Sequence, residues 1–174
     1  MELDTAIHFI SPGIVKNSGV QVWADFGSGK GLFVSALANI LGQGSTVYAV
    51  DKDHRALDQI KIPQQITLKK MPADFTSGEF QIEPLDGILM INSLHFVSDK
   101  NSLFGRIKSL LKPMGRIIVG EYNTDKPNPW VPYPISFPKL QEIAQPHFTS
   151  VTKMEEIPSA YGRATMFSAR LLPG

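Results

Sequence analysis

The chain has 174 residues, of which 43% are hydrophobic and 19% charged, and its formal net charge is +1. This length accommodates one α/β domain with a buried core, so we expect a single domain over residues 1–174. The balanced composition argues against disorder and against a strongly charged partner such as nucleic acid.

The chain contains no cysteine, which excludes disulfides, thiolate metal sites and a cysteine nucleophile. We assign no metal ligand. The N-terminus, Met-Glu-Leu-Asp-Thr-Ala, is acidic where a signal peptide would be basic, and no apolar run has the length of a membrane span. We therefore expect a cytoplasmic protein with no membrane partner.

Apolar runs and turn residues predict five strands separated by helices in the first two thirds of the chain. A capping serine, a proline and an exit glycine predict a short helix over residues 11–19. The strands are predicted at residues 22–26, 46–51, 66–70, 86–91 and 116–122. Helices are predicted between them at residues 32–41, 53–60 and 98–111, the last capped by Ser98 or Asp99. Residues 76–84 are interpreted as a loop or one helical turn.

The last third of the chain begins with a proline-rich stretch over residues 123–138, in which prolines forbid regular structure. We favour a lid over a rigid connector there, because the aromatic side chains of Trp130, Tyr133 and Phe137 are costly to expose. A helix is predicted at 137–145. Strands at 147–157 and 163–172, joined by a turn at 159–162, form a predicted antiparallel hairpin.

Alternating strands and helices indicate an α/β fold with a doubly wound, mostly parallel sheet of seven strands that ends in this C-terminal antiparallel hairpin. Such sheets bind ligands outside the carboxyl ends of their strands. Glycines and polar residues collect at that edge: they are Gly27, Gly29, Gly31, Asp51, Asp74 and residues 92–95.

Two common glycine motifs do not fit the turn after the first strand. A Walker loop needs glycine five residues before its Gly-Lys pair and Ser or Thr after it, but Ala24 and Gly31 occupy those places. The dinucleotide fingerprint needs a third glycine where the chain has Leu32. A nicotinamide or nucleotide-sugar oxidoreductase is therefore disfavoured.

The spacing Asp25-x-Gly27-x-Gly29-x-Gly31 instead resembles the first motif of class I S-adenosylmethionine-dependent methyltransferases. The resemblance continues, in order, through residues 47–51, 72–75, 86–95 and 111–115, and it covers most of residues 10–122. It implies a Rossmann-like fold, methyltransferase activity and S-adenosylmethionine as the cofactor.

The resemblance also implies roles at the sheet edge. Asp51 would accept hydrogen bonds from the ribose hydroxyls, and Asp74 would bind the adenine amino group beside the Phe75 amide. Asp25 and the Asn92 main chain match positions that hold the methionine amino group. The full predicted cofactor set is Asp25, Phe26, Gly27, Ser28, Gly29, Gly31, Asp51, Lys52, Ala73, Asp74, Phe75 and Asn92. Asp51 and Asp74 are also compatible with ordinary caps or turn residues.

Two lysines depart from the family pattern. Lys30 replaces a small hydroxyl residue, and it is either a partner for the methionine carboxylate or simply solvated. Lys52 replaces an apolar residue, although its aliphatic stem is able to cover the adenine ring.

Methyl transfer from a sulfonium is a direct displacement, so the protein chiefly aligns the reacting atoms. Where the acceptor loses a proton, His95 is the first candidate for the base, and a packed structural role is equally compatible. Glu121 and Tyr122 are further catalytic candidates or pocket walls. His8 and His147 are interpreted as structural.

A small-molecule acceptor is favoured. Residues 92–95, Asn-Ser-Leu-His, are unlike the Asn-Pro-Pro-Tyr motif of adenine amino methyltransferases, and cytosine C5 chemistry requires a cysteine. The aromatic residues of the proline-rich stretch are candidate walls for this acceptor. A protein side chain as acceptor, and a non-catalytic S-adenosylmethionine-binding or regulatory module, remain alternatives.

Overall fold

A computed structural model describes residues 1–15, 19–77, 81–159 and 165–174. Within these residues, seven strands form one sheet in the order β3-β2-β1-β4-β5-β7-β6. The strands are β1 (Val22–Phe26), β2 (Thr46–Asp51), β3 (Thr67–Pro72), β4 (Leu85–Ile91), β5 (Leu111–Tyr122), β6 (Ser150–Pro158) and β7 (Thr165–Leu172).

Helices cover both faces of the sheet. They are α1 (Leu3–Ile10), α2 (Leu32–Ile40), α3 (His54–Asp58), α4 (Lys100–Lys108) and α5 (Phe137–Ala144). Short 3-10 turns occur at Ser11–Gly13 and Leu94–Phe96. None of the helices in the described ranges is long and apolar enough to cross a membrane.

The pairing pattern confirms the predicted fold class. Strands β1 to β5 pair in parallel, and β7 pairs antiparallel with both β5 and β6. Because Asp25 lies beside Ala49 of β2 and Leu89 of β4, the carboxyl ends of the three central strands lie close together. This edge carries the candidate site.

The core consists of two apolar layers, one on each face of the sheet. Helices α1 and α2 contribute Phe9 and Leu37 to one layer, which also contains Trp23. Helices α4 and α5 contribute Phe104 and Leu140 to the other. Trp23 is fully buried, and its indole Nε1 donates to Gln21 Oε1 at 3.1 Å.

Helix α1 differs from the predicted helix at 11–19. The first helix spans Leu3–Ile10, and Ser11 begins the 3-10 turn that follows it. The Ser11 hydroxyl donates back to the Ile7 carbonyl at 2.6 Å, so Ser11 closes one helix and does not cap a new one. Residues 16–18 of the predicted helix lie outside the described residues.

Strand β5 begins earlier than predicted, and helix α4 ends earlier. Leu111 pairs with Leu85, whereas Arg116 pairs with Gly87, so β5 carries extra residues in an irregular segment that includes Pro113 and Gly115. This bulge places 111–115 in the strand, where the sequence indicated a helix end.

Smaller differences concern strand and helix ends elsewhere. Strand β3 reaches Pro72, and β6 begins at Ser150. Pro138 lies in the first turn of α5, where a missing backbone N–H costs nothing. The predicted hairpin turn lies largely outside the described residues, as do residues 163 and 164 of the last predicted strand and residues 78–80 of the predicted loop.

The approach of Trp23 to Gly87 provides a test of the core. A Cβ added at Gly87 would lie 2.4 Å from the Trp23 ring, and Trp23 is packed too tightly to move. We expect Gly87→Ala to lower the free energy of unfolding by about 2 kcal/mol in urea denaturation.

Gly105→Ala is the matched control for Gly87→Ala. Its Cβ would lie 3.4 Å from the His147 ring, an ordinary contact, and alanine favours the helix in which Gly105 lies. An equal loss of stability in both variants would contradict the steric account of Gly87.

Candidate active site

A cavity of about 290 Å³ lies at the carboxyl edge of strands β1 to β4. Its lining residues are Gly27, Asp51, Lys52, Ala73, Asp74, Phe75, Thr76, Asn92, Ser93 and Phe96. Most of these belong to the predicted cofactor set. Thr76, Ser93 and Phe96 do not, although Ser93 and Phe96 lie within or beside the fourth motif, and the Asp-x-Thr spacing of Thr76 is typical of a turn.

The turn after β1 brings bare backbone against β4. Gly27 has a φ of +82°, and a Cβ there would lie 2.5 Å from Ser93 Cβ. The Gly27 and Ser28 amides both donate to the Val50 carbonyl, at 2.8 and 3.1 Å. Gly31 then caps α2 with a φ of +86°. Only glycine combines this conformation with so close an approach at Gly27.

Asp51 ends β2 at the rim of the cavity. Its Oδ2 accepts from the Gly29 amide at 2.8 Å, and its Oδ1 accepts from the Asp53 amide at 2.9 Å. These bonds fix the carboxylate, and each oxygen keeps a further acceptor position. Asp51 is thus a turn residue and, at the same time, a group able to bind a pair of ligand hydroxyls.

Asp25 lies behind the glycine turn and is 2% exposed. Burial, followed by the neighbouring Asp51 carboxylate, raises the pKa of the Asp25 carboxyl to about 7. A carboxyl with this pKa is poised to lose its proton when a cationic ligand group arrives beside it.

The segment after β3 is fixed by hydrogen bonds of its own and by side chains from β1 and α4. Asp74 accepts from the Thr76 amide at 2.8 Å and from the Thr76 hydroxyl at 2.6 Å, and these bonds lower the pKa of the Asp74 carboxyl. The Phe75 ring stacks on Phe26 with centroids 5.8 Å apart. The guanidinium of Arg106 on α4 donates to the Phe75 carbonyl at 2.6 Å.

Three buried polar atoms around the glycine turn lack a hydrogen-bond partner among the described residues. They are Ser28 Oγ, Asn92 Oδ1 and Ser93 Oγ. Each such atom costs about 1–3 kcal/mol when left unsatisfied. Asn92 also has a φ of +54°, in the left-handed region. Together with the Asp51 carboxylate, these groups fit a polar ligand that carries hydroxyl, amino or carboxylate groups.

The three catalytic candidates are not among the residues that line this cavity, although His95 directly precedes Phe96, which is. His95 Nδ1 lies 2.6 Å from Glu121 Oε2, and the His95 amide donates to Glu121 Oε1 at 3.2 Å. Both side chains are buried. Tyr122 points to the opposite face of β5 and packs beside the layer of α1 and α2. The structure therefore brings His95 and Glu121 together and places Tyr122 apart from them.

The aromatic residues of the proline-rich stretch have different environments. Trp130 is 79% exposed and Tyr133 is 48% exposed. The Phe137 ring packs edge-on against Phe167, with centroids 5.6 Å apart, and so belongs to the core layer of α5. Tyr133 is the one that contacts the catalytic candidates, because its amide donates to the His95 carbonyl at 3.0 Å.

The fold and the site together define a domain that binds a polar nucleotide-like ligand at the carboxyl edge of a doubly wound sheet. The methyltransferase-domain family matches residues 24–119, and the chain belongs to this family. The predictions of a class I S-adenosylmethionine-dependent methyltransferase, and of S-adenosylmethionine as its cofactor, are confirmed at the level of the family. No protein of curated function shows significant sequence similarity to the chain.

Solved structures share the fold at low sequence identity. A TehB-like methyltransferase from Corynebacterium glutamicum is 16% identical over 97% of this chain and 87% of that chain, with a TM-score of 0.64. A second structure is the 1,6-didemethyltoxoflavin-N1-methyltransferase of Burkholderia thailandensis with bound 1,6-didemethyltoxoflavin and S-adenosylhomocysteine. It is 21% identical over 98% of this chain and 78% of that chain, with a TM-score of 0.70. A Leishmania major methyltransferase is 15% identical over 96% of this chain and 71% of that chain, with a TM-score of 0.72.

Gly27→Ala tests the close approach of β1 to β4. The new Cβ would clash with Ser93, and alanine disfavours the positive φ at this position. We therefore expect calorimetry to show that the affinity for S-adenosylhomocysteine falls at least about tenfold. Gly44→Ala is the control: its φ is +86°, but its nearest contact is Val20 at 3.4 Å, outside the cavity. Equal affinity in both variants would contradict the steric role of Gly27.

Asp25→Asn tests the buried carboxyl. The pKa of Asp25 is raised from 3.8 to about 7, so its contribution to stability is fully present below about pH 4 and is lost as the pH rises to about 7. We expect the variant to raise the free energy of unfolding by about 2 kcal/mol near pH 8 and to change it little near pH 4. The exposed Asp58→Asn is the control. A pH-independent effect of Asp25→Asn would contradict the ionisation account.

Proposed function

We propose that the chain, acting as a single domain over residues 1–174, transfers a methyl group to a small-molecule acceptor by direct displacement. The observation that carries the proposal is that buried polar atoms of Ser28, Asn92 and Ser93 have no hydrogen-bond partner among the described residues, and that Asn92 and Ser93 line one cavity with Asp51. A site that leaves such groups unsatisfied is built to receive a polar ligand.

The residues around the cavity suit the parts of S-adenosylmethionine. Asp51 binds the ribose hydroxyls with the acceptor positions that Gly29 and Asp53 leave open. Asp74 and the Phe75 amide hold the adenine amino edge, and Ala73 with the stem of Lys52 covers the ring.

The methionine end of the cofactor lies at the glycine turn in this proposal. Asp25 and the Asn92 main chain hold the amino group, and the Asp25 carboxyl gives up its proton as that cation binds. Phe26, Gly27, Ser28, Gly29 and Gly31 give the turn its shape.

When bound, S-adenosylmethionine supplies an electrophilic methyl group on its sulfonium. The chain's part is to align the acceptor and to receive its proton. With its ring protonated on Nδ1, His95 donates a hydrogen bond to Glu121 Oε2, and the Nε2 lone pair is then available as a base. Glu121 is then a positioning residue for His95.

Two observations support a small molecule as the acceptor. The net charge of +1 gives the chain no overall attraction for a polyanion. The Burkholderia thailandensis relative, by its description, methylates a small heterocycle. Phe96, 55% exposed at the cavity, offers an apolar surface to such an acceptor.

Calorimetry with S-adenosylhomocysteine tests the cofactor part of this proposal. We expect 1:1 binding in the micromolar range, and a loss of at least about tenfold in Asp51→Asn, because one charged acceptor of the ribose hydroxyls is removed. The control is Asp58→Asn at the end of α3, an exposed carboxylate outside the cavity, and this variant keeps the wild-type affinity. Absence of binding at millimolar ligand would overturn the proposal.

Transfer of a labelled methyl group to a panel of small oxygen, nitrogen and sulfur acceptors tests the catalytic part. Product formation supports a small-molecule methyltransferase. Cofactor binding with label transferred only to protein, or to no acceptor, would overturn it in favour of a protein methyltransferase or of a binding module, respectively.

A further inference from the structure

Lys100 at the start of α4 is a buried lysine, with 6% of its surface exposed. Its Nζ donates to the carbonyls of Val97 and Tyr133, each at 2.8 Å, and lies 5.8 Å from the centre of the Tyr133 ring. Lysine is almost never buried without a partner of opposite charge. These two carbonyls satisfy hydrogen bonds but do not balance the charge.

The opposite charge that acts on Lys100 is that of Glu121, which does not form a direct ion pair with it. Burial lowers the pKa of the Lys100 ammonium, and the negative charge of Glu121 opposes that change. Glu121 is also the partner of His95, and Tyr133 links the two through its amide bond to the His95 carbonyl. Lys100 on α4, Glu121 on β5 and Tyr133 in the proline-rich loop are thus the titratable groups gathered around His95.

The charge balance of this cluster decides where a proton resides. A buried carboxylate is costly unless a cation or hydrogen-bond donors compensate it. Among the described residues of this cluster, the Lys100 ammonium and the His95 ring are the two groups able to supply a positive charge near Glu121.

We propose that Lys100 is a positioning residue whose ammonium offsets the Glu121 carboxylate and so keeps the His95 ring neutral, with Nε2 able to accept the acceptor's proton. The inference rests on the function proposed above and narrows the acceptor to a group that loses a proton, such as a hydroxyl or a ring N–H. As that O–H or N–H bond breaks, its electron pair forms the bond to the methyl carbon, the carbon–sulfur bond breaks towards sulfur, and the proton passes to His95 Nε2.

The ¹⁵N chemical shifts of the imidazole nitrogens test the proposal without cofactor or acceptor. The chain has four histidines, and comparison with His95→Gln assigns the His95 signals. We expect a neutral ring protonated on Nδ1 near pH 7 in the wild type and in Lys100→Arg. In Lys100→Met, the ratio of doubly protonated to neutral ring rises at least about tenfold, because a nearby positive charge that disfavours the imidazolium is lost.

Two further variants separate charge from packing. In Lys100→Met/Glu121→Gln both charges are absent, so the ring returns to the neutral form. Lys108→Met, on the same helix, leaves His95 as in the wild type. Far-UV circular dichroism and thermal unfolding identify any variant that fails to fold. If Lys100→Met does not fold, Lys100→Gln replaces it, because its neutral amide is able to donate to the same carbonyls.

A doubly protonated His95 in the wild type, or an unchanged ring in folded Lys100→Met, would overturn the inference. Neither result bears on the calorimetry with S-adenosylhomocysteine, so the proposed function stands or falls separately. With an acceptor from the panel, Lys100→Met is expected to lower kcat/KM near pH 7 about tenfold or more, with recovery in Lys100→Arg.

Discussion

The close approach of the β1 turn to β4 is the constraint on which the rest of the site depends. Gly27 meets Ser93 at a distance that leaves no room for a side chain, and its amide is held by the Val50 carbonyl. This contact places the ends of β1, β2 and β4 around one small volume, so that Asp51 and Asn92 line the cavity and the buried Asp25 lies behind the turn. A wider turn would leave these groups on separate strands with water between them.

The same convergence has an energetic cost. Two carboxyl groups, Asp25 and Asp51, lie close enough for the charge of Asp51 to raise the pKa of Asp25. Three buried polar atoms around the glycine turn have no hydrogen-bond partner among the described residues. None of these features stabilises the free protein. Under the proposed function, the cofactor's amino, hydroxyl and carboxylate groups supply the missing partners, so that ligand binding stabilises the folded protein.

Strong local signals made much of this structure predictable. Strand β2 and the Asp53 cap of α3 follow from an apolar run and a capping residue, and the glycine spacing locates the turn. The features that the sequence did not predict depend on contacts between residues that are far apart in the chain. Helix α1 is stabilised by packing on α2 and the sheet, and the bulge in β5 reflects its register with Leu85. Lys100 resembles a solvated first-turn residue in the sequence, because Tyr133, which buries it, lies 33 residues away.

Hydrogen bonds anchor the proline-rich stretch to itself and to the residues around His95. Its ends are joined by Asn123 to Phe137 and by Asp125 to Ser136, and its middle is joined by Tyr133 to His95 and Lys100. A motion of the whole segment would break a charge-assisted bond of a buried lysine, which is costly. The exposed Trp130, bounded by the Asn128–Val131 bridge, lies outside these anchors. The segment that the sequence favours as a lid is thus anchored at both ends and in its middle, with an exposed tip at Trp130, and Tyr133 joins it to both His95 and Lys100.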